Sequence, residues 1–158
     1  MNNQPSWSMR TNSQTLQELL ARVRAAQSVA GVDLSTAEDL SVAVMNLISL
    51  EEHFFFTGAK TDDPKYYDTL AEVRSIRKKL MAELLPEHEG ETWCAAKHLL
   101  ASTMRLIEAG TKKQNEGESG KAVELFGEAY RLYSIFWALK LKLVEAKELG
   151  EVSECCKE

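Results

Sequence analysis

Three histidines, His53, His88 and His98, and three cysteines, Cys94, Cys155 and Cys156, are the side chains best able to hold a metal or attack a substrate. Cys94 and His98 stand at i and i+4, so one helical face offers two ligands. Two further ligands must come from elsewhere, with His53 and Glu52 of suitable kind. His88 lies close to Pro86 in a turn and reads as solvated. The other spacings exclude the common constellations. The sequence has no CxxC pairs, no Glu-x-x-His motif of a di-iron bundle, no phosphate-cradling glycine loop and no G-x-S-x-G elbow. Catalysis has no motif to stand on and no cofactor is expected. Metal binding has Cys94 and His98 as its candidates.

A second kind of chemistry comes from charges on apolar faces. At 100° per residue, Glu51 falls among Val44, Leu47, Ile48 and Phe55, and Arg77 among Tyr66, Leu70, Val73, Leu80 and Leu84. Counted from the turn near Asp62, the two stand about three residues apart in height. At about 1.5 Å per residue an arginine spans that offset. A buried Glu51–Arg77 pair is expected, because a core holds neither charge alone.

These residues need helices to position them. From Ser13 the apolar residues Leu16, Leu19, Leu20, Val23 and Ala26 recur at three-and-four spacing, and Gly31 is placed to end this helix. Ser35 and Glu38 have the spacing of a capping box and open a second helix to about Gly58. Asp62-Asp63-Pro64 introduces a third, stopped by Pro86. A fourth covers roughly 90–115, and a fifth runs from about Ser119 to Leu149. The expected fold is all-α, a single-domain antiparallel bundle of about five helices over residues 14–150. A flexible N-terminal arm (1–13) and a flexible C-terminal tail (151–158) flank it. With 44% hydrophobic and 27% charged residues over 158 positions, the chain has enough apolar surface for a core.

The last helix carries surplus apolar circumference. Beyond the stripe from Ala122 to Leu143, the residues Tyr130, Trp137, Leu141 and Val144 widen it to roughly 200°, more than one packing face needs. Surplus aromatic area of this kind is the composition of an interaction hot spot. These four residues are the expected partner-binding surface. Trp7, alone in a polar arm, is a possible cover for part of it.

Nineteen basic residues against 24 acidic give a charge of −5, which disfavours a nucleic-acid partner. The one basic cluster, Arg74, Arg77, Lys78 and Lys79, suits the second half of a helix complementing its own dipole. The polar start lacks a signal-peptide core and no run approaches the roughly 20 apolar residues of a membrane span. An odd cysteine count without a disulfide pattern agrees with a reducing compartment. A cytoplasmic protein without a membrane partner is expected.

Residues 106–129 resemble part of a tetratricopeptide repeat. Leu106, Ala109 and Gly110 occupy the large–small–Gly positions of its first helix, and Ala122, Phe126 and Ala129 the packing positions of its second. Lys113 stands where that repeat has an aromatic, and no second copy occurs 34 residues away. The resemblance covers one hairpin and implies tight helix–hairpin geometry.

Two functions from different classes follow. The first is a non-catalytic interaction or assembly module, binding a protein partner or itself through the last helix as a homo-oligomer. The alternative is a small-ligand or metal-binding bundle, enzymatic or not, with a polar site in its core around Glu51, Arg77, His53, Cys94 and His98. A third class, an RNA-associated bundle, would use Arg74, Lys78, Lys79, Lys112 and Lys113.

Overall fold

The structure, a computed structural model, describes residues 13–29, 33–87 and 90–146. The expected arm and tail, Gly31, His88, Trp7 and the cysteines at 155 and 156 lie outside the described residues. The described chain is all-α: α1 (Ser13–Gln27), α2 (Ser35–Thr61), α3 (Lys65–Leu84), α4 (Glu91–Asn115) and α5 (Ser119–Lys140).

Helix boundaries follow from local hydrogen bonding. Ser35 is the first residue of α2 and forms no capping box with Glu38. Asp33 takes that role instead, its Oδ1 accepting from the Ser35 N–H at 2.9 Å and from its hydroxyl at 2.6 Å. Those two bonds to Ser35 hold the Asp33 carboxyl below its ordinary pKa. Asp63 repeats the device at the start of α3, accepting from the Lys65 N–H at 3.0 Å. The α4–α5 connection turns on Gly117 at φ 81°. Glu118 N–H bonds to Lys113 O and Gly117 N–H to Gln114 O, the crossed pair that closes a helix end.

α5 ends at Lys140, well short of the expected Leu149. Lys142 adopts φ 56°, and the N–H groups of Leu143 and Lys142 bond back to the carbonyls of Ala138 and Leu139. This is the same crossed closure as at Gly117, made without glycine. The reversal turns Leu143 and Val144 onto the core and buries Ala146. That apolar burial offsets the roughly 1 kcal/mol of left-handed strain in a non-glycine residue.

Two antiparallel hairpins, α2–α3 and α4–α5, make the bulk of the molecule, and α1 packs against α5. The hairpins meet mainly through α2 and α4. Val44 and Leu100 share the core, and further along the same helices Glu52 pairs with Arg105. α2 and α4 therefore run parallel, with both hairpin turns at one end. The core lies at the other end, the base, where Val44, Met81, Leu84, Leu100, Phe136 and Trp137 are buried together with Val23 of α1. Among the described residues no helix is long and apolar enough to cross a membrane.

Candidate functional site

Glu51 and Arg77 are in contact across the α2–α3 hairpin. Arg77 Nε donates to Glu51 Oε1 at 2.5 Å, and both residues are buried, Arg77 to 2% exposure. Arg74 Nε donates to the other oxygen, Oε2, at 2.9 Å from a half-exposed position. Arg77 Nη1 lies 3.7 Å from Met81 Sδ. The carboxylate is thus held by two guanidiniums on successive turns of α3, one on each oxygen. Such a cluster fixes the register of α2 against α3, because sliding either helix strands a charge in the core.

The two metal-ligand candidates part company. Cys94 is buried, whereas His98 is exposed. The i, i+4 spacing puts both on one broad side of α4, but the base core covers only the first. Among the described residues no group of three or more His, Cys, Asp or Glu side chains is placed to hold a metal. His53 is exposed on the rim of an open groove of about 520 Å³ between α2 and α4, which also takes in Glu52, Phe56, Lys60, Arg105 and Glu108. Arg105 bonds to Glu52 and, at 2.5 Å, to Glu108. Its slight burial works against the charge, but the bond to Glu52 and the two carboxylates outweigh that and raise its pKa. The groove's strongest charges neutralise one another.

The basic cluster is also divided. Arg74 and Arg77 turn to Glu51, and Lys113 is tied to Glu116 at 2.8 Å and Glu118 at 3.0 Å. Those bonds, to Glu116 first, push the Lys113 pKa up to about 12 and hold Glu116 below its ordinary value.

The surface expected on the last helix requires correction. Trp137 is only 2% exposed and packs edge-on against Tyr133 and Phe136 inside the base core. Leu141 and Val144 lie beyond the end of α5, where the chain reversal packs them against that core. The expected patch assumed an unbroken helix to Leu149, and its surplus circumference came largely from this segment. Of the four residues only Tyr130, 49% exposed, presents a large apolar surface to solvent.

Tyr130 nonetheless has neighbours that sequence reasoning missed. Gly120, Val123, Gly127, Tyr130, Ser134 and Trp137 follow one another at alternating steps of three and four on α5. That is the spacing of a helix-packing seam, and it contains no charged residue. Its C-terminal members, Ser134 and Trp137, are buried, while Val123 is 70% exposed and Gly120 and Gly127 are open to solvent. The signal was available in the step pattern running N-terminally from Trp137. It was hidden because Val123 looks like an ordinary flank of the Ala122–Phe126–Ala129 packing face. No protein-family model, curated protein or solved structure matches the chain.

Proposed function

We propose that this chain is a non-catalytic helical interaction module that docks partners through the N-terminal two-thirds of α5. The reading is carried by one observation. The uncharged seam that is core at Ser134 and Trp137 continues into solvent at Tyr130, Gly127 and Val123. A helix face of core composition left in water gains the most by burial against another protein. Tyrosine there adds a flat apolar ring with a polar tip, the type favoured at interface centres. Glycines beside it let a partner backbone approach closely.

Native mass spectrometry of extract containing the tagged chain tests the reading. The chain is expected in assemblies heavier than its own 17.7 kDa, and Tyr130→Glu is expected to return it to the monomer mass with helicity unchanged. Identical spectra for the two forms overturn the assignment.

A further inference from the structure

We infer that Trp7 seats the N-terminal arm on the exposed α5 seam of its own chain, and that a partner docks there by displacing it. The inference rests on the docking face proposed above and adds its regulation.

The seam defines its occupant. Val123, Gly127 and Tyr130 present surface without a charge. A Cβ added at Gly127 or Gly120 meets nothing within 4 Å among the described residues. Two bare turns beside a tyrosine make a shallow notch that a broad flat ring fills. A charged side chain placed there loses water and gains no partner. Of the two terminal segments outside the described residues, 147–158 carries Lys147, Glu148, Glu151, Glu154, Lys157 and Glu158 and has no aromatic ring. Residues 1–12 carry a single charged side chain, Arg10, together with Trp7, Met1 and Met9. Arg10 follows Trp7 by three residues, and the edge of the seam offers it the exposed carboxylates of Glu124 and Glu128. Both carboxylates are held in exposed pairs on their own helix, weak enough to exchange partners.

The attachment of the arm favours the same face. α1 packs against α5, and Val23 shares the base core with Trp137. Ser13 is ten residues from Val23, about 15 Å of helix. Trp7 is six residues further, on a tether of up to about 20 Å. From Trp137 out to Val123 the seam spans about 20 Å. The arm therefore springs from the helix packed on α5, with length enough to set Trp7 over Gly127 and Tyr130. A segment on so short a tether acts at roughly millimolar effective concentration. One ring over a notch then holds it, at a strength that a partner burying the whole exposed seam exceeds. The other exposed aromatics, Phe55 and Phe56 of α2, are a poorer seat, as Phe56 lies in the groove beside the paired Glu52, Arg105 and Glu108.

The test follows the purified full chain by NMR and the tagged chain by native mass spectrometry of extract. In the wild type the Trp7 ring protons are expected to show nuclear Overhauser contacts with the Val123 methyl groups. Trp7→Ala is expected to shift the amide resonances of Val123, Gly127 and Tyr130 while those of Met81 and Leu100 in the base core stay in place. Gly127→Glu, at an open position, is expected to abolish the contact with Val123, and circular dichroism checks that helicity is kept. In extract, Trp7→Ala is expected to raise the assembled fraction. If the arm covers the face about nine-tenths of the time, the apparent affinity rises about tenfold. Seam resonances unmoved by Trp7→Ala overturn the inference, as do contacts that vanish on dilution from about 500 to about 20 µM, which belong to a second copy. Tyr130-dependent assembly that Trp7→Ala leaves unchanged overturns the regulation. Unmoved seam resonances with Tyr130-dependent assembly reject the Trp7 seat but retain the docking face. A Trp7 contact with assembly indifferent to Tyr130→Glu rejects the docking face, and with it the regulation.

Discussion

The base and the tips of this bundle are built from the same helical stripes, yet they end in opposite environments. On α4, Leu100 is fully buried, and Ile107, two turns further along the same stripe, is 40% exposed. On α2 the stripe of Val44 runs out to a half-exposed Phe55. On α5, Trp137 is core and Tyr130 is not. At the base the hairpins are joined by the shared core, by Ser41 hydrogen-bonded to Tyr133 at 2.7 Å, and by Lys140 Nζ donating to Leu84 O at 2.6 Å. Towards the tips each hairpin closes on itself. A Cβ on Gly58 would lie 2.9 Å from the Tyr67 ring, and one on Gly110 2.5 Å from that of Phe126. Helix spacing near each tip is therefore set by glycine, whereas apolar contact between the hairpins is concentrated at the base, with the Glu52–Arg105 ion pair crossing further along. Apolar periodicity alone does not make a residue core; a neighbouring helix has to arrive over it.

Four measurements break or sharpen this contrast. The largest effect is expected for Trp137→Ala, which removes the bulkiest base side chain and should cost about 3–5 kcal/mol. At about 2–4 °C per kcal/mol for a chain of this length, the melting temperature should fall by roughly 10 °C. Tyr130→Ala, at the same phase of α5, should stay within about 0.5 kcal/mol in dilute monomer. Equal losses at the two positions would erase the distinction between the ends.

Next in size, Glu51→Ala and Arg77→Ala should each cost about 3 kcal/mol by leaving the opposite charge in a buried site. The double variant should lose clearly less than the sum, because the second change removes a charge already stranded. Additive losses in thermal melts would mean that the pair contributes no coupling. Gly110→Val should cost about 1–3 kcal/mol by driving a branched side chain into the Phe126 ring. Adding Phe126→Ala should return part of that loss, and a double variant worse than the sum would contradict glycine-set spacing at this tip.

The smallest effect is a difference in titration. Lys140, at the base, has its pKa lowered by burial, whereas Lys113, at a tip, is raised to about 12 by Glu116 and Glu118. Following the side-chain ε-CH2 resonances of the two lysines by NMR should show Lys140 losing its proton at lower pH than Lys113. The stability consequences have opposite sign. The unfolded chain holds the Lys140 proton longer than the folded one, so that group's contribution rises with pH just below its ordinary value. The Lys113 contribution is complete below the ordinary lysine value and is lost as pH rises towards 12. Coincident midpoints would remove the electrostatic difference between the ends.

Much of this was legible in residue order. Helix identities, the Asp62-Asp63-Pro64 boundary, the Gly117 turn and the placing of Glu51 and Arg77 on inward faces follow from local rules with a period of 3.6. Arg74 was not recognisable as the third member of that cluster. It stands among Lys78 and Lys79 in a run that reads as a solvated face, and only the approach of α2 gives it a carboxylate. The Cys94–His98 pair failed for a related reason, since helix phase puts two residues on one side without saying how far cover extends. The overrun of α5 is the clearest case. Residues 141–144 continue an apolar helical pattern, and nothing local announces that Lys142 will turn left-handed.

By itself the sequence determined that the chain is helical, where most helices begin, and which residues could not be left alone in a core. These depend on hydrogen bonds and periodicities within a few residues. Packing between distant segments settles that Trp137 is core while Tyr130 is surface, that α5 stops at Lys140, and that Glu51 answers two arginines. Each depends on whether a distant segment arrives to exclude water, and burial is a property of the assembled neighbours rather than of the residue buried.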